Sequence, residues 1–183
     1  MIIGVISDTH GDVEAWRKSI NGPLKGVDVI IHAGDILYHG PRNPIVAGYN
    51  PQALAEEINA SPIPLLFAKG NCDADVDQML IKYPIHSPYV FAFIEGRNIL
   101  AVHGADMNRE EMLQLARDYN LRFFISGHTH VPSLEKIGET IYLNPGSCSL
   151  PKENNPPTVA VIGEQEVVII SIDSGQELTK LTL

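Results

Sequence analysis

The sequence predicts an α/β protein, a four-layer α/β/β/α sandwich in which two mixed β-sheets pack face to face between outer helices. Three observations carry this. In the first half, short Ile- and Val-rich runs alternate with capped helix patterns, the signature of βαβ units and a sheet that is parallel there. The second half holds one helix pattern and otherwise only strands, which asks for a second sheet. The chain of 183 residues is 44% hydrophobic and 19% charged, enough for a sizeable core. That balance excludes disorder, collagen-like repeats and a coiled coil. At roughly one domain per 150 residues, residues 1–183 are expected to form a single domain.

The elements follow in order. Met1 to Ser7 is apolar and ends at Asp8, as a buried parallel strand would. Val27 to His32 and Pro64 to Ala68 repeat the pattern, each followed by a loop containing Gly or Asp. Between them, Asp12 caps a helix over Val13 to Ile20, and Asn50 with Pro51 starts another that runs to Asn59. Tyr89 to Glu95 and Asn98 to His103 read as a hairpin around Gly96. A helix over Arg109 to Tyr119 places Met112, Leu115, Ala116 and Tyr119 on one face. Strands are then expected at Arg122–Ser126, Ser133–Ile137, Thr140–Leu143, Thr158–Ile162, Glu166–Asp173 and Glu177–Leu181. The Pro-rich stretch from Pro151 to Pro157 is short and reads as a surface loop.

The chemistry lies at strand ends. Five predicted strands end in Asp8-Thr9-His10, Gly34-Asp35, Gly70-Asn71-Cys72-Asp73, His103-Gly104 and Gly127-His128-Thr129-His130. Open α/β sheets bind ligands at such carboxyl ends, and a neighbouring Gly lets the backbone turn close to a bound group. Singly, each pair is ordinary loop chemistry; together they form a donor set. Carboxylate oxygen with imidazole nitrogen suits Mn²⁺, Fe or Zn²⁺, whereas Ca²⁺ wants oxygen alone and a structural zinc site wants thiolates. Asp8, His10, Asp35, Asn71, His103, His128 and His130 are too many ligands for one ion and suit two ions that share a carboxylate. His32, inside a strand pattern, reads as a satisfied core histidine, His86 as a surface one and Cys148 as core.

This order of motifs resembles the calcineurin-like metallophosphoesterase family. The likeness covers nearly the whole chain, because His39-Gly40-Pro41-Arg42-Asn43 and Asn144-Pro145-Gly146-Ser147 are also similar to the small bacterial YfcE-type phosphodiesterases of that family. The resemblance implies that Asp8, His10, Asp35 and His130 hold one metal ion and Asp35, Asn71, His103 and His128 a second, with Asp35 as the bridge. Two divalent cations, Mn²⁺ first and Zn²⁺ or Fe as alternatives, would then activate a bridging hydroxide for in-line attack on a phosphodiester. Asp35, Asn71 and His103 are the expected catalytic residues. Arg42, His39 and Asn71 are the expected substrate contacts, with Lys152 a further candidate. Asp73 is expected to orient a histidine from behind. One departure stands out: where many larger relatives carry a His after the Asn, here there is Cys72. A thiol with an ordinary pKa near 8.5 is a poor proton donor at pH 7. Diesters with good leaving groups, or a proton from His39, are the expected consequences.

Charge bounds the partners. Thirteen Lys and Arg face 22 Asp and Glu, a formal charge of −9, which argues against a grip on long nucleic acid or on an anionic membrane. Two bound divalent ions would leave the chain acidic but its site locally positive, which fits a small phosphodiester substrate. No apolar run approaches the 18 or so residues that span a bilayer. The early Asp8 interrupts any signal-peptide core of about 7–15 residues. With Cys72 and Cys148 expected as free thiols, these features point to the cytoplasm, and a homo-oligomer is compatible with all of them. The alternatives are a phosphomonoesterase or nuclease on the same two-metal core, and a non-catalytic scaffold such as the relative in the retromer sorting complex. All seven ligand positions are filled here, which favours the enzyme.

Overall fold

The computed structural model describes residues 1–183. The three leading apolar runs form the parallel strands β1 (Ile3–Ile6), β2 (Val29–His32) and β3 (Leu65–Ala68), with Ile3 opposite Val29 and Ile30 opposite Leu65. Helices α1 (Val13–Asn21) and α2 (Pro51–Ala60) connect them. Asp12 Oδ1 accepts the N–H groups of Glu14 and Ala15, both at 3.0 Å, and Asn50 Oδ1 accepts that of Ala53 at 3.1 Å, so both starts are capped where the sequence predicts. Then come α3 (Asp75–Leu80) and β4 (Ile85–His86), the hairpin β5 (Val90–Ile94) and β6 (Arg97–Ala101), and α4 (Arg109–Asp118). The chain closes with β7 (Phe123–Ile125), β8 (Ser133–Ile137), β9 (Thr140–Asn144), β10 (Thr158–Ile162), β11 (Glu166–Ser171) and β12 (Glu177–Thr182).

One sheet has the order β12-β11-β10-β1-β2-β3-β4, parallel from β1 to β4 and antiparallel beyond; the other runs β5-β6-β7-β9-β8, parallel through β6, β7 and β9 with antiparallel edges. Alternation along each strand builds two layers of core. Ile3, Val5 and Ile31 face Phe123, Ile125, Ile141 and Leu143 between the sheets, while Ile6, Ile30 and Phe67 face Trp16, Leu54 and Ile58 under α1 and α2. A third cluster, Leu100, Phe124, Ala116 and Leu121, seats α4 on the second sheet. At about 1.5–3 kcal/mol for each large buried side chain, the inter-sheet layer is what fixes the two sheets face to face. The two mixed sheets flanked by helices are the architecture the sequence predicts.

The differences have local causes. The first strand is Ile3–Ile6 rather than Met1–Ser7, and the sixth stops at Ala101 rather than His103, because the polar residues beyond leave the ladder to enter the site. Likewise β11 ends at Ser171, short of Asp173. The sequence reading has neither α3 nor β4: α3 has six residues, no side-chain cap and exposed Val76, Met79 and Leu80, and β4 has two residues, so neither shows a period. Pro151 to Pro157 is a loop, and both cysteines are free, Cys148 buried. No helix is long and apolar enough to cross a membrane.

Candidate metal centre

The carboxyl ends of β1, β2 and β3 from one sheet and of β6 and β7 from the other meet at one end of the sandwich. The chain leaves the strands there in an unusual conformation. Of nine non-glycine residues with positive φ, five are Asp8 (54°), His10 (47°), Asp35 (59°), His128 (67°) and His130 (60°). Left-handed backbone costs an L-residue roughly 1–2 kcal/mol, and such outliers collect where a side chain must be aimed. Two glycines let the loops close on one another. A Cβ on Gly127 would lie 2.1 Å from Ser7 Oγ, and one on Gly70 would lie 2.2 Å from Asp35 Oδ1.

Each carboxylate has one tied oxygen and one bare one. Asp8 Oδ2 accepts the Ser7 hydroxyl at 2.6 Å and the His128 N–H at 3.1 Å, and Asp35 Oδ1 accepts the Cys72 N–H at 2.8 Å. Asp8 Oδ1 and Asp35 Oδ2 face inward. The imidazoles are arranged in the same way: Nδ1 of His10, His103 and His130 sits 2.8, 2.8 and 2.6 Å from the carbonyl oxygens of Tyr38, Ala33 and Leu150. A carbonyl only accepts, so Nδ1 carries the proton in each ring, and Nε2 points into the site.

The inward atoms crowd together. His130 Nε2 lies 3.3 Å from Asp8 Oδ1 and 3.2 Å from His10 Nε2; His103 Nε2 lies 3.3 Å from Asp35 Oδ2 and 4.0 Å from Asp8 Oδ1. His10 Nε2 is 3.7 Å from both carboxylates. Across from them, His128 Nδ1 lies 2.9 Å from Asn71 Oδ1.

Electrostatics make this cluster unstable without positive charge. Burial lowers the pKa of His10, and it lowers that of His130 to about 4, so two neutral rings present lone pairs to each other. Burial pushes Asp8 up to about 7, against the pull of His103. Burial pushes Asp35 up, but the close approach and charge of His103, helped by the Cys72 N–H and by His10, outweigh it and hold the carboxyl below the usual range. His103, though buried, is raised to about 9 by Asp35 and Asp8. A proton there does the work a cation would do. Asp8 Oδ1 and His103 Nε2 are nevertheless buried with no hydrogen-bond partner, a costly state for polar atoms. The donors therefore fit divalent cations: Asp8, His10 and His130 form one group of mutually close ligand atoms, Asp8, Asp35 and His103 another, and His10, Asp35 and Cys72 a third.

Residues 1–166 match the calcineurin-like phosphoesterase superfamily domain. The chain belongs to that superfamily. It is 32% identical to the phosphodiesterase YfcE of Escherichia coli over 178 residues, which is 97% of this chain and 95% of the relative. The structure of YfcE, described as a phosphoesterase from E. coli, superposes with a TM-score of 0.88 at 30% identity and covers 99% of this chain and 98% of that one. Vacuolar Protein Sorting 29 from Cryptosporidium parvum shares the fold, with a TM-score of 0.68 at 16% identity over 100% of this chain and 98% of the other.

Beside the centre of this superfamily member opens a cavity of about 900 Å³, lined by Asp35, Asn71, Cys72, His128 and His130 together with Tyr38, Arg42 and Lys152. Arg42 and Lys152 therefore reach it. His39 is not among the lining residues: its ring packs edge-on against Tyr38, which is one of them, and against Tyr49. Asp73 also differs from expectation. It orients no histidine; its carboxylate accepts the N–H groups of Asp35 (2.9 Å), Ile36 (2.7 Å) and Gly70 (2.7 Å), pinning the loop that carries Asp35 to the one that carries Asn71. His32 is fully buried and satisfied by Thr9 Oγ1 and the Gly34 N–H, and His86 is exposed.

Sequence reasoning missed the backbone supports, because a carbonyl carries no residue signal, and it missed Tyr38 on the cavity wall. It noted Asn144 to Ser147 only by resemblance. There Ser147 Oγ donates to the Asp8 carbonyl at 2.7 Å and accepts the Leu150 N–H at 2.8 Å, while Asn144 Nδ2 donates to the Gly127 carbonyl at 2.8 Å. That loop buttresses the centre from behind.

Proposed function

We propose that this chain is a metal-dependent phosphodiesterase, a phosphoric diester hydrolase in one domain over residues 1–183 that works in the cytoplasm on a small diester with two divalent cations. The observation that supports this is the clustering of Asp8, His10, Asp35, His103 and His130, with Asn71 and His128 paired beside them, around Asp8 Oδ1 and His103 Nε2, which are buried and unpartnered. In this reading Asp8, His10, Asp35 and His130 hold one cation and Asp35, Asn71, His103 and His128 the other. Asp35 is common to both, consistent with its bare Oδ2 lying between His10 and His103. Mn²⁺ is the first choice for mixed oxygen and nitrogen donors, and Zn²⁺ and Fe suit the same set. When bound, two divalent cations supply an acidified water and positive charge for the in-line displacement at phosphorus.

The protein groups do the rest. Tied oxygens and carbonyl-bound Nδ1 atoms keep the donors aimed before anything binds, so little reorganises on binding. Asn71, a neutral ligand, leaves its amide N–H groups beside the cavity to reach a phosphoryl oxygen. Arg42, on the cavity wall, has the planar fork that grips a phosphate group of the substrate bidentately. The Cys72 thiol is pushed up to about 12 by burial and by nearby Asp35. It keeps its proton, which disfavours alkoxide leaving groups, so the reading favours aryl and other good leaving groups.

The test is metal analysis of the purified protein, joined to assays on an aryl diester, an aryl monoester and an oligonucleotide after chelation and re-addition of Mn²⁺. Two bound ions and restored turnover that is fastest on the diester are expected. Fewer than two ions at saturation, with no turnover restored on any substrate, would overturn the reading; preference for the monoester or the oligonucleotide would replace the diesterase with that activity.

A further inference from the structure

We infer that the diester this site accepts carries a second anionic group of phosphate type, held between Arg42 and Lys152 on the cavity wall. The inference rests on the phosphodiesterase reading and extends it to a substrate class. A cavity of about 900 Å³ lies in the upper part of the range for pockets that enclose a whole small ligand, so it holds far more than the scissile phosphate. Three of its thirteen lining residues are hydrophobic, and Asp35 is its single acid. In a chain of formal charge −9, this wall carries two cations, Arg42 and Lys152, against that one acid.

The two cations are placed and unspent. Seven of the thirteen Lys and Arg side chains pair with carboxylates elsewhere, whereas Arg42 and Lys152 pair with none. Both are on braced loops. Arg42 lies in a turn closed by the Asn43 N–H on the Gly40 carbonyl (3.4 Å) and by Asn43 Nδ2 on the His39 carbonyl (2.8 Å). The Lys152 N–H donates to the His130 carbonyl at 3.3 Å, next to a turn in which Glu153 and Asn154 have positive φ. Both side chains line the same cavity. Two unpaired cations from separate loops on one cavity wall are the recognition chemistry of a phosphate set apart from the reacting one.

The test compares thymidine 5′-(p-nitrophenyl phosphate) with the same diester bearing a 3′-phosphate, in wild type, Arg42→Gln and Lys152→Gln loaded with Mn²⁺. In parallel, calorimetry compares the binding of thymidine 3′,5′-bisphosphate and thymidine 5′-monophosphate. The added phosphate should raise kcat/KM and tighten binding by about tenfold or more in wild type, the scale of a charge-assisted contact, and each variant should cut that ratio to about threefold or less. A wild-type ratio near one, or a ratio that neither variant changes, overturns the inference while leaving a diesterase in place. Should the enzyme cleave neither diester, the underlying reading fails, and the calorimetric ratio alone then decides whether the second anion site exists.

Discussion

Ser147→Ala isolates the buttress behind the centre. Ser147 is fully buried; its hydroxyl donates to the Asp8 carbonyl at 2.7 Å and accepts the N–H groups of Leu150 at 2.8 Å and Ser149 at 3.2 Å. Removing it orphans a carbonyl in the interior, at about 1–3 kcal/mol, and frees two half-buried N–H groups that water can partly satisfy, together at about 0.5–1.5 kcal/mol. The loss should total about 2–4 kcal/mol, or a fall in Tm of roughly 5–15 °C for a chain of this size. Ser149 is the control two residues away, since its hydroxyl is buried with no partner; Ser149→Ala should stay within about 0.5 kcal/mol of wild type or stabilise the fold. Urea and thermal unfolding in chelator read the fold alone. A Mn²⁺ titration should then show about tenfold weaker uptake in Ser147→Ala, because the Leu150 carbonyl that orients His130 is no longer anchored. Equal losses from the two substitutions, or a Ser147→Ala loss under about 0.5 kcal/mol, would refute the reasoning.

The remaining expectations are shorter. Asp35→Asn keeps the shape but not the shared charge, and should lower both Mn²⁺ stoichiometry and diester turnover, the latter by about a hundredfold or more; two ions still bound with near-normal turnover would contradict its bridging role. Cys72→His should flatten the dependence of rate on leaving-group pKa across aryl and alkyl diesters, and an unchanged slope would remove residue 72 from proton transfer. His32 is buried with its pKa lowered from 6.5 to about 3 by burial and by the His103 charge. It stays neutral when folded but takes up a proton when unfolded below about pH 6.5, so its stabilising contribution is full above that pH and is lost towards pH 3, at up to about 1.4 kcal/mol per unit. In His32→Asn, whose Oδ1 can still accept the Gly34 N–H, the pH dependence of urea unfolding between pH 6 and 4 should be shallower, and an identical dependence would count against it. Gly127→Ala drives a Cβ to 2.1 Å from Ser7 Oγ and should weaken Mn²⁺ uptake together with stability, whereas loss of stability with normal uptake would separate that packing from the centre.

The donors are legible because a strand that is apolar to its last residue and then turns to Asp or His breaks the logic of a core. Asp8 after Ile3–Ile6 and His128 after Phe123–Ile125 are such breaks. Strand alternation and capped helix starts made the layers legible in the same way, down to Asp12 and Asn50. What escaped has no periodic or chemical signal: a six-residue helix with exposed Val76 and Met79, a two-residue strand, and the carbonyls of Ala33, Tyr38 and Leu150. Asp73 and His39 were legible as polar residues near the centre, but which atoms they face is set by how the loops pack against each other. Sequence spacing cannot encode that.

The five left-handed residues at the centre also bear on how this chain can change. Together they hold roughly 5–10 kcal/mol of backbone strain, as much as the whole net stability of many domains, and none of it serves the cores. A substitution such as His128→Gly would relax one of these positions at once, so the residues that aim the donors are among those where this fold can shed strain. Selection for thermal stability alone would do nothing to keep them. A lineage that keeps Asp8, His10, Asp35, His128 and His130 in that backbone is being held there by chemistry and not by the needs of folding.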